Sequence, residues 1–323
     1  MRPADIFAEP GDPVASSSTE PAALGRPKLS VIVAASNAGA LLAQCVAALA
    51  VQAHPDEVEI IIARDASRFD DVDRTELDGR TPGLRWIDAP PGATVPRLRG
   101  LGIAQARADL IALIEDDCLV ADGWCRAAIA TGGDCAAVGG AVEPGPYRKP
   151  LDWAVYFCEY GRFMLPVPSA PDAPLTGNNV VYSRDALARL PDAVRLDFRE
   201  AFVHAAWQQS GVPTRVSGSL VVRNINTWSL RHVTTAPFHH GRAYAAERFG
   251  ARQAPVRVAV AALALGLPLL KLARIAAGTL SRGRLTGRLL VAFPWAMIFV
   301  GSWSAGEILG CLAGPGDSQS RWR

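Results

Sequence analysis

The sequence predicts an α/β fold, a mostly parallel sheet with helices on both faces, followed by an apolar helical tail. Three observations carry this. Short β-branched apolar runs alternate with segments of helical period from Leu29 onward, and each run ends in turn-forming or acidic residues. Beyond Ala251 the pattern changes to longer apolar runs separated by arginines.

Leu29–Ala35 is the first strand and ends at Ser36, Asn37 and Gly39; helical spacing follows from Leu41 to Val51. A second strand covers Val58–Ala63 and ends at Asp65-Ala-Ser67. A weaker third, Leu84–Ile87, leads to the Pro-Pro-Gly turn at Pro90–Gly92. A helix through Arg97–Ala108 precedes the buried strand Leu110–Ile114, which ends at Glu115-Asp116-Asp117. In parallel sheets ligands bind beyond the carboxyl ends of the strands, where this chain places Ser36/Asn37, Asp65 and Asp116/Asp117. From about Val142 the pattern loosens into an aromatic-rich segment and a Pro-rich loop at 166–174. Helices are expected from Asp185 and over Glu200–Gln209, the latter stopped by Gly211.

Composition narrows the classes. Half the residues are apolar and the formal charge is +2, so the totals carry no nucleic-acid footprint. Six cysteines form no CxxC pair, which argues against zinc and for a reducing compartment. Residues 1–27, rich in Pro, Ser and Ala without an apolar stretch, read as a disordered leader rather than a secretory signal.

In the tail, residues 251–323, two apolar runs, Val258–Leu270 and Leu289–Val300, are separated by Lys271, Arg274, Arg282, Arg284 and Arg288. The first is short of the ~20 residues a span takes, and the positive-inside tendency disfavours a spanning hairpin. Helices in the membrane interface, or one span at most, fit best, with membrane lipids as partners; two buried helices of a soluble domain are the alternative.

Glu115-Asp116-Asp117 is the sharpest chemical feature. Acidic residues at the end of a buried strand are costly unless a charge compensates them, and a divalent cation shared with diphosphate oxygens would do so. Mg²⁺ or Mn²⁺ there would neutralise a diphosphate leaving group. The same residues also suit an acidic loop capping the next helix.

The order Leu29-Ser-Val-Ile-Val-Ala-Ala-Ser-Asn37, Ile60-Ile-Ile-Ala-Arg-Asp-Ala-Ser67, and Arg97-Leu-Arg-Gly through Glu115-Asp-Asp to Asp122-Gly-Trp124 resembles family 2 glycosyltransferases. The resemblance covers about residues 28–250 and implies a GT-A fold, Rossmann-like, with a nucleotide-sugar half (28–140) and an acceptor half (141–250). It implies that Ala34, Ser36 and Asn37 line the nucleotide pocket and that Asp65 bonds the base. Arg99 would lie near the nucleotide, Asp116 would face the ribose or sugar, and Asp117 would hold the metal. Gly177, Asn178 and Asn179 match the loop between the donor and acceptor halves. Two departures stand out: Arg64 occupies a commonly acidic position, and Gly100 replaces the Asn that usually follows the arginine.

An inverting transfer needs a base for the attacking hydroxyl. Glu200, eleven residues before Gly211, matches the family's acidic residue best, with Asp197 as runner-up and His204 one turn along the helix. Simpler roles remain for several of these: an Asx turn for Asp65, a plain turn for Gly177–Asn179, and a helix N-terminal charge for Glu200. The resemblance implies an inverting transferase using a UDP- or GDP-sugar and a lipid-linked or membrane-assembled glycan acceptor. Its place would be the inner membrane, catalytic domain towards the cytoplasm. A non-catalytic nucleotide-sugar binder on a decayed domain is the main alternative. A nucleotidyltransferase is a weaker one, because Ala34–Gly39 makes a poor phosphate loop.

Overall fold

A computed structural model describes residues 26–36, 39–68, 71–81, 83–131, 135–167 and 173–321. The leader up to Leu24-Gly25 and Asn37 therefore lie outside the described residues, as does most of the Pro-rich loop. Packing divides the chain into two units. One takes the residues up to Ala141 together with Val167–Arg223, the other Val142–Pro166 together with Asn224 onward. Residues 142–166 and 224–250 thus group with the C-terminal helices rather than with the strands.

The elements run β1 (Leu29–Ala35), α1 (Ala40–Ala50), β2 (Val58–Asp65), α2 (Asp71–Arg80), β3 (Arg85–Ala89), α3 (Val95–Gln105), β4 (Leu110–Glu115), β5 (Cys118–Val120) and α4 (Trp124–Ala130). They continue β6 (Ala137–Pro144), α5 (Pro150–Glu159), β7 (Asn179–Ser183), α6 (Arg184–Ala188), α7 (Asp192–Leu196), α8 (Glu200–Gln209), β8 (Thr214–Asn224) and α9 (Leu230–Phe249). Three apolar helices follow, α10 (Ala254–Ala264), α11 (Leu267–Ser281) and α12 (Thr286–Ala313), then a short α13 (Ser318–Arg321).

The eight strands form one sheet ordered β3-β2-β1-β4-β7-β6-β8-β5. The expected parallel part is β3-β2-β1-β4; β7 pairs antiparallel with both β4 and β6, so the sheet is mixed. β1 and β2 are buried along their whole length, as β-branched runs covered on both faces should be. One core cluster joins Ile32, Ile61, Leu113 and Val180 of the strands to Phe198, Val203 and Trp207.

His204 lies in this core. It is buried, its Nε2 is 2.7 Å from the Tyr182 hydroxyl, and its ring stacks on that of Tyr182. Burial, with the Arg99 charge in support, lowers its pKa from 6.5 to about 3, so it is a neutral core residue rather than a proton acceptor for substrate.

The second unit is helical. Its core joins Tyr147, Trp153, Tyr156 and Phe157 to Leu289, Ala292, Ala296 and Phe299 of α12. The α9–α12 crossing is close because glycines lie in it. A Cβ on Gly306 would meet the Phe238 carbonyl oxygen and sit 2.9 Å from the Arg242 nitrogen; a Cβ on Gly310 would meet the Arg242 carbonyl. Small residues four apart let two helix backbones approach in this way.

Two outcomes follow from the packing. Gly306→Ala lowers thermal stability by about 1–3 kcal/mol through overpacking, whereas Gly301→Ala, whose Cβ meets nothing within 4 Å, does not; equal midpoints for the two variants would refute the close crossing. His204 has a depressed pKa, so its contribution to stability is complete above pH 6.5 and is lost as pH falls towards 3. Denaturant unfolding should show about 2 kcal/mol of such loss by about pH 5. That part should be missing from His204→Gln, and the same pH dependence in the variant would contradict the assignment.

Candidate active site

Strand register brings the chemical residues to one edge of the sheet. Ala34 of β1 is level with Ala63 and with Glu115, and Asp65 of β2 is level with Ala89. The carboxyl ends of β1, β2, β3 and β4 thus share an edge with Ser36, Asp65 and Glu115-Asp116-Asp117. Ala34, Ala63 and Ala89 pack with Leu98 into a small apolar cluster beneath that edge. Ser36 is exposed just past β1.

Asp65 is buried and spans two turns. Its Oδ1 accepts from the Ser67 nitrogen at 3.0 Å and hydroxyl at 2.6 Å, and its Oδ2 accepts from the Gly92 nitrogen at 2.8 Å. The Asx turn read from the sequence is present, and the carboxylate also fixes the Pro-Pro-Gly turn. Arg64 is buried and directed at the next strand, donating from Nε to Asp88 at 2.7 Å with its guanidinium 5.0 Å over the Trp86 ring.

The centre of the edge is organised by Arg99. From α3, its buried guanidinium donates to Glu200 Oε2 through Nη1, to Glu115 Oε1 through Nη2 at 2.9 Å, and to the Gly177 carbonyl at 3.5 Å. Four sequence features produce this meeting. Pro96 accepts the Phe198 N–H at 3.0 Å, and Arg97 donates to the Leu196 carbonyl at 3.2 Å. Gly100 lets the α7 backbone lie directly on α3, since a Cβ there would meet the carbonyls of Leu196 and Arg195. The departure Gly100 is therefore a packing requirement: any side chain would push α7, and Glu200 behind it, off Arg99. On the other side a Cβ on Gly177 would come within 2.5–2.8 Å of the Glu200 side chain, so glycine there admits the carboxylate.

Asp116 and Asp117 occupy the turn between β4 and β5, 1 % and 6 % exposed. Asp117 Oδ1 accepts from the Cys118 thiol at 3.4 Å, and the Asn178 amide donates to the same sulfur at 3.4 Å. Thr176 Oγ1 in turn donates to Asn178 Oδ1. Asn178 is thereby tied to the acidic pair. Asn179 is directed into the sheet: its Nδ2 donates to the carbonyls of Ala141 and Leu220 at 2.9 and 3.0 Å, and its Oδ1 accepts from Trp124 Nε1 at 3.0 Å. Those bonds commit its amide to joining β6, β7, β8 and α4. Asp197, the runner-up base, pairs with Arg199 at 2.9 Å.

Electrostatics separates this edge from the opposite one. Glu59 is also buried, but Ser30, the Arg107 backbone, Arg85 and the Arg107 side chain donate to it. Burial alone would raise its pKa; those donors outweigh burial and lower it. Glu115 goes the other way. Burial is the largest cause, and despite Arg99 the charges of Asp117, Glu200 and Asp116 help push its pKa up to about 8. Negative charge is compensated at the amino end of the sheet and in excess at the carboxyl end.

Such an excess fits a cation. Among the described residues no three His, Cys, Asp or Glu side chains are grouped to cage a metal unaided. One or two carboxylates completed by phosphate oxygens is how Mg²⁺ is commonly bound. The thiols are not ligands in waiting, because burial first, and then the nearby acids, raises the pKa of both Cys45 and Cys118. The sequence grouped Glu115 with the acidic pair but gave it no role of its own, and it did not bring the Cys45 and Cys118 thiols to them. The place of Glu115 between Arg99 and the acidic pair comes from contacts made by the fold, with no local signal.

Residues 30–164 match the family model Glycosyl transferase family 2. No curated protein matches the chain. Among solved structures, the mannosyltransferase PcManGT from Pyrobaculum calidifontis, in complex with GDP-Man and Mn²⁺, is similar at 16% identity and TM-score 0.53, covering 88% of this chain and 87% of that one. TarS 1-349 from S. aureus is similar at 13% identity and TM-score 0.45, covering 87% and 90%, too distant to support an inference. The strand-end chemistry, the match of residues 30–164 to the family 2 model and the shared architecture lead to one conclusion: the fold is GT-A-like and the chain is a glycosyltransferase.

Proposed function

We propose that the protein is an inverting, divalent-metal-dependent glycosyltransferase that moves a sugar from a UDP- or GDP-linked donor to a lipid-linked or membrane-assembled glycan. The observation that carries this is the cluster of acids at the carboxyl end of β4: Arg99 pairs with Glu115 and Glu200, the charges of Asp117, Glu200 and Asp116 bear on Glu115, and Asp116 and Asp117 are buried. The architecture shared with PcManGT, whose structure holds GDP-Man and Mn²⁺, is in line with that donor class and cation.

Asp117 would hold Mg²⁺ or Mn²⁺, which supplies positive charge to the departing diphosphate. Ala34, Ser36 and Asn37 line the nucleotide pocket beyond β1, and Asp65 fixes the turn that closes it while facing the base. Asp116 faces the ribose or sugar. Glu200 takes the proton of the attacking hydroxyl as the bond from the anomeric carbon to the diphosphate breaks, and attack from the opposite face inverts that carbon. Arg99 holds the Glu200 carboxyl in place and brings a positive charge to the diphosphate side of the site. Gly177 leaves room for the Glu200 carboxylate, and Asn178 borders the acidic pair. Asn179 acts as a strut rather than a sugar contact.

The apolar helices support a membrane-bound acceptor. α12 has 28 residues and a mean hydropathy of 1.5 over its most apolar window, long and apolar enough by composition to cross a bilayer. Residence at the inner membrane, catalytic domain towards the cytoplasm, completes the proposal.

Calorimetric titration with UDP and GDP, with and without Mn²⁺, checks the donor site. Metal-dependent binding of one nucleotide is expected, weakened at least about tenfold in Asp117→Ala. Failure to bind either nucleotide, or unchanged metal-dependent binding in the variant, would overturn the site.

A further inference from the structure

Resting on the membrane association proposed above, we infer that helices α10–α12 insert in-plane into one leaflet of an anionic bilayer and that none of them crosses it. Length and composition alone would make α12 a span, and the pair α10–α11, bent by 50° at its break, a second one. The contacts within the helical unit point elsewhere.

A spanning helix shows lipid an apolar surface across ~30 Å of hydrocarbon. On α12 the exposed large apolar residues Leu290, Val291, Phe293, Met297 and Ile298 lie within about 12 Å at 1.5 Å per residue, and Leu312 stands apart at the far end. Along its carboxyl half the helix lies against α9: Gly306 and Gly310 touch the backbone of Phe238 and Arg242. The ends of α12 are held by polar groups of the same unit. At its start, Arg284 pairs with Glu143 at 2.7 Å, and Arg282 donates to the Met164 carbonyl at 3.2 Å and the Arg162 carbonyl at 3.1 Å. At its end, Arg257 donates to the carbonyls of Cys311 and Leu312 at 2.6 and 2.9 Å, and Arg242 to that of Gly314 at 2.9 Å. Crossing a bilayer would carry α5 with its buried Asp152, and α9 with Arg242, into hydrocarbon, because both helices pack along α12.

An in-plane arrangement leaves the bonds intact and uses the surface that is left over. Leu263 and Leu265 at the end of α10, Leu269 and Leu280 on α11, and Leu290 on α12 are 60–77 % exposed. The exposed residues of α11 recur at 269, 270, 273, 277 and 280, one face of a helix, with exposed Arg274 beside them. Leucines on one face with arginines at their border is the pattern of interfacial helices, whose cations reach lipid phosphates.

The charge distribution names the lipid. The helical unit, residues 142–166 with 224–323, carries fifteen Lys and Arg against six Asp and Glu, whereas the rest of the chain carries eighteen against twenty-five. The near-neutral total hides a cationic apolar unit joined to an acidic sheet unit, and anionic lipid headgroups attract the first and repel the second.

The test uses the full chain. It should float with vesicles of phosphatidylcholine containing phosphatidylglycerol, and the bound fraction should fall about tenfold in Leu290→Glu/Ile298→Glu. Both positions are exposed, so the variant should fold, and its nucleotide binding reports that the sheet unit is intact. Equal binding to pure phosphatidylcholine, or a soluble dimer that buries these residues, would overturn the lipid assignment. In sealed inside-out membrane vesicles, a carboxyl-terminal tag should be open to protease. Gly287→Cys, whose Cβ meets nothing within 4 Å, should be open to an impermeant maleimide over the parent chain's background. Protection of either would show a crossing helix and overturn the in-plane reading. If flotation persists while no nucleotide binds, the transferase reading fails and the membrane surface stands.

Discussion

The Arg99 guanidinium ties together the centre of the carboxyl edge of the sheet. It is buried in α3 and joins Glu115, at the end of the next strand β4, to Glu200, which arrives from 101 residues away at the start of α8. Removing one partner of such a buried arrangement commonly costs ~3–5 kcal/mol, since the remaining charge loses its compensation. The surrounding architecture protects the arrangement: the bare backbone of Gly100 under α7, the Phe198–Pro96 bond, and Gly177 opposite Glu200.

The same cation does not balance the acids around it. Glu59, at the other end of β2, is buried under several donors and stays acidic, whereas Glu115 is pushed up to about 8. Structural carboxylates are compensated by the fold that buries them. An edge left with excess negative charge is built for something that arrives with positive charge, and a diphosphate that brings a divalent cation meets that description.

Much of this was legible in the sequence where one segment carries the signal. β1, β2 and β4 are short β-branched runs with acidic or turn residues at their ends, so strand, direction and strand-end chemistry were read together. α8 was found over its full length because Gly211 stops it. The antiparallel half was not legible. β6 holds two consecutive glycines, β5 is three residues long, and β8 alternates weakly, with much of its length exposed. Asn179 looked like a loop amide because nothing local shows that Trp124 and two distant carbonyls consume it. The Arg99–Glu200 pair spans 101 residues and is made by backbone packing on Gly100, which the family pattern marks only as a departure. In the tail, the second apolar run reads as ending at Val300, short of Glu307. Glu307 is held inside α12 by Trp303 and by Lys271 at 3.8 Å, and a single 28-residue helix continues past it.

The central claim is that Arg99 and Glu200 work as one unit in the transfer step, and a double-mutant cycle on kcat addresses it most directly. With donor saturating, Arg99→Gln, Glu200→Gln and the double variant should lower kcat by similar factors, because either loss removes the positioned base. Losses that multiply in the double variant would show two independent roles and contradict the account.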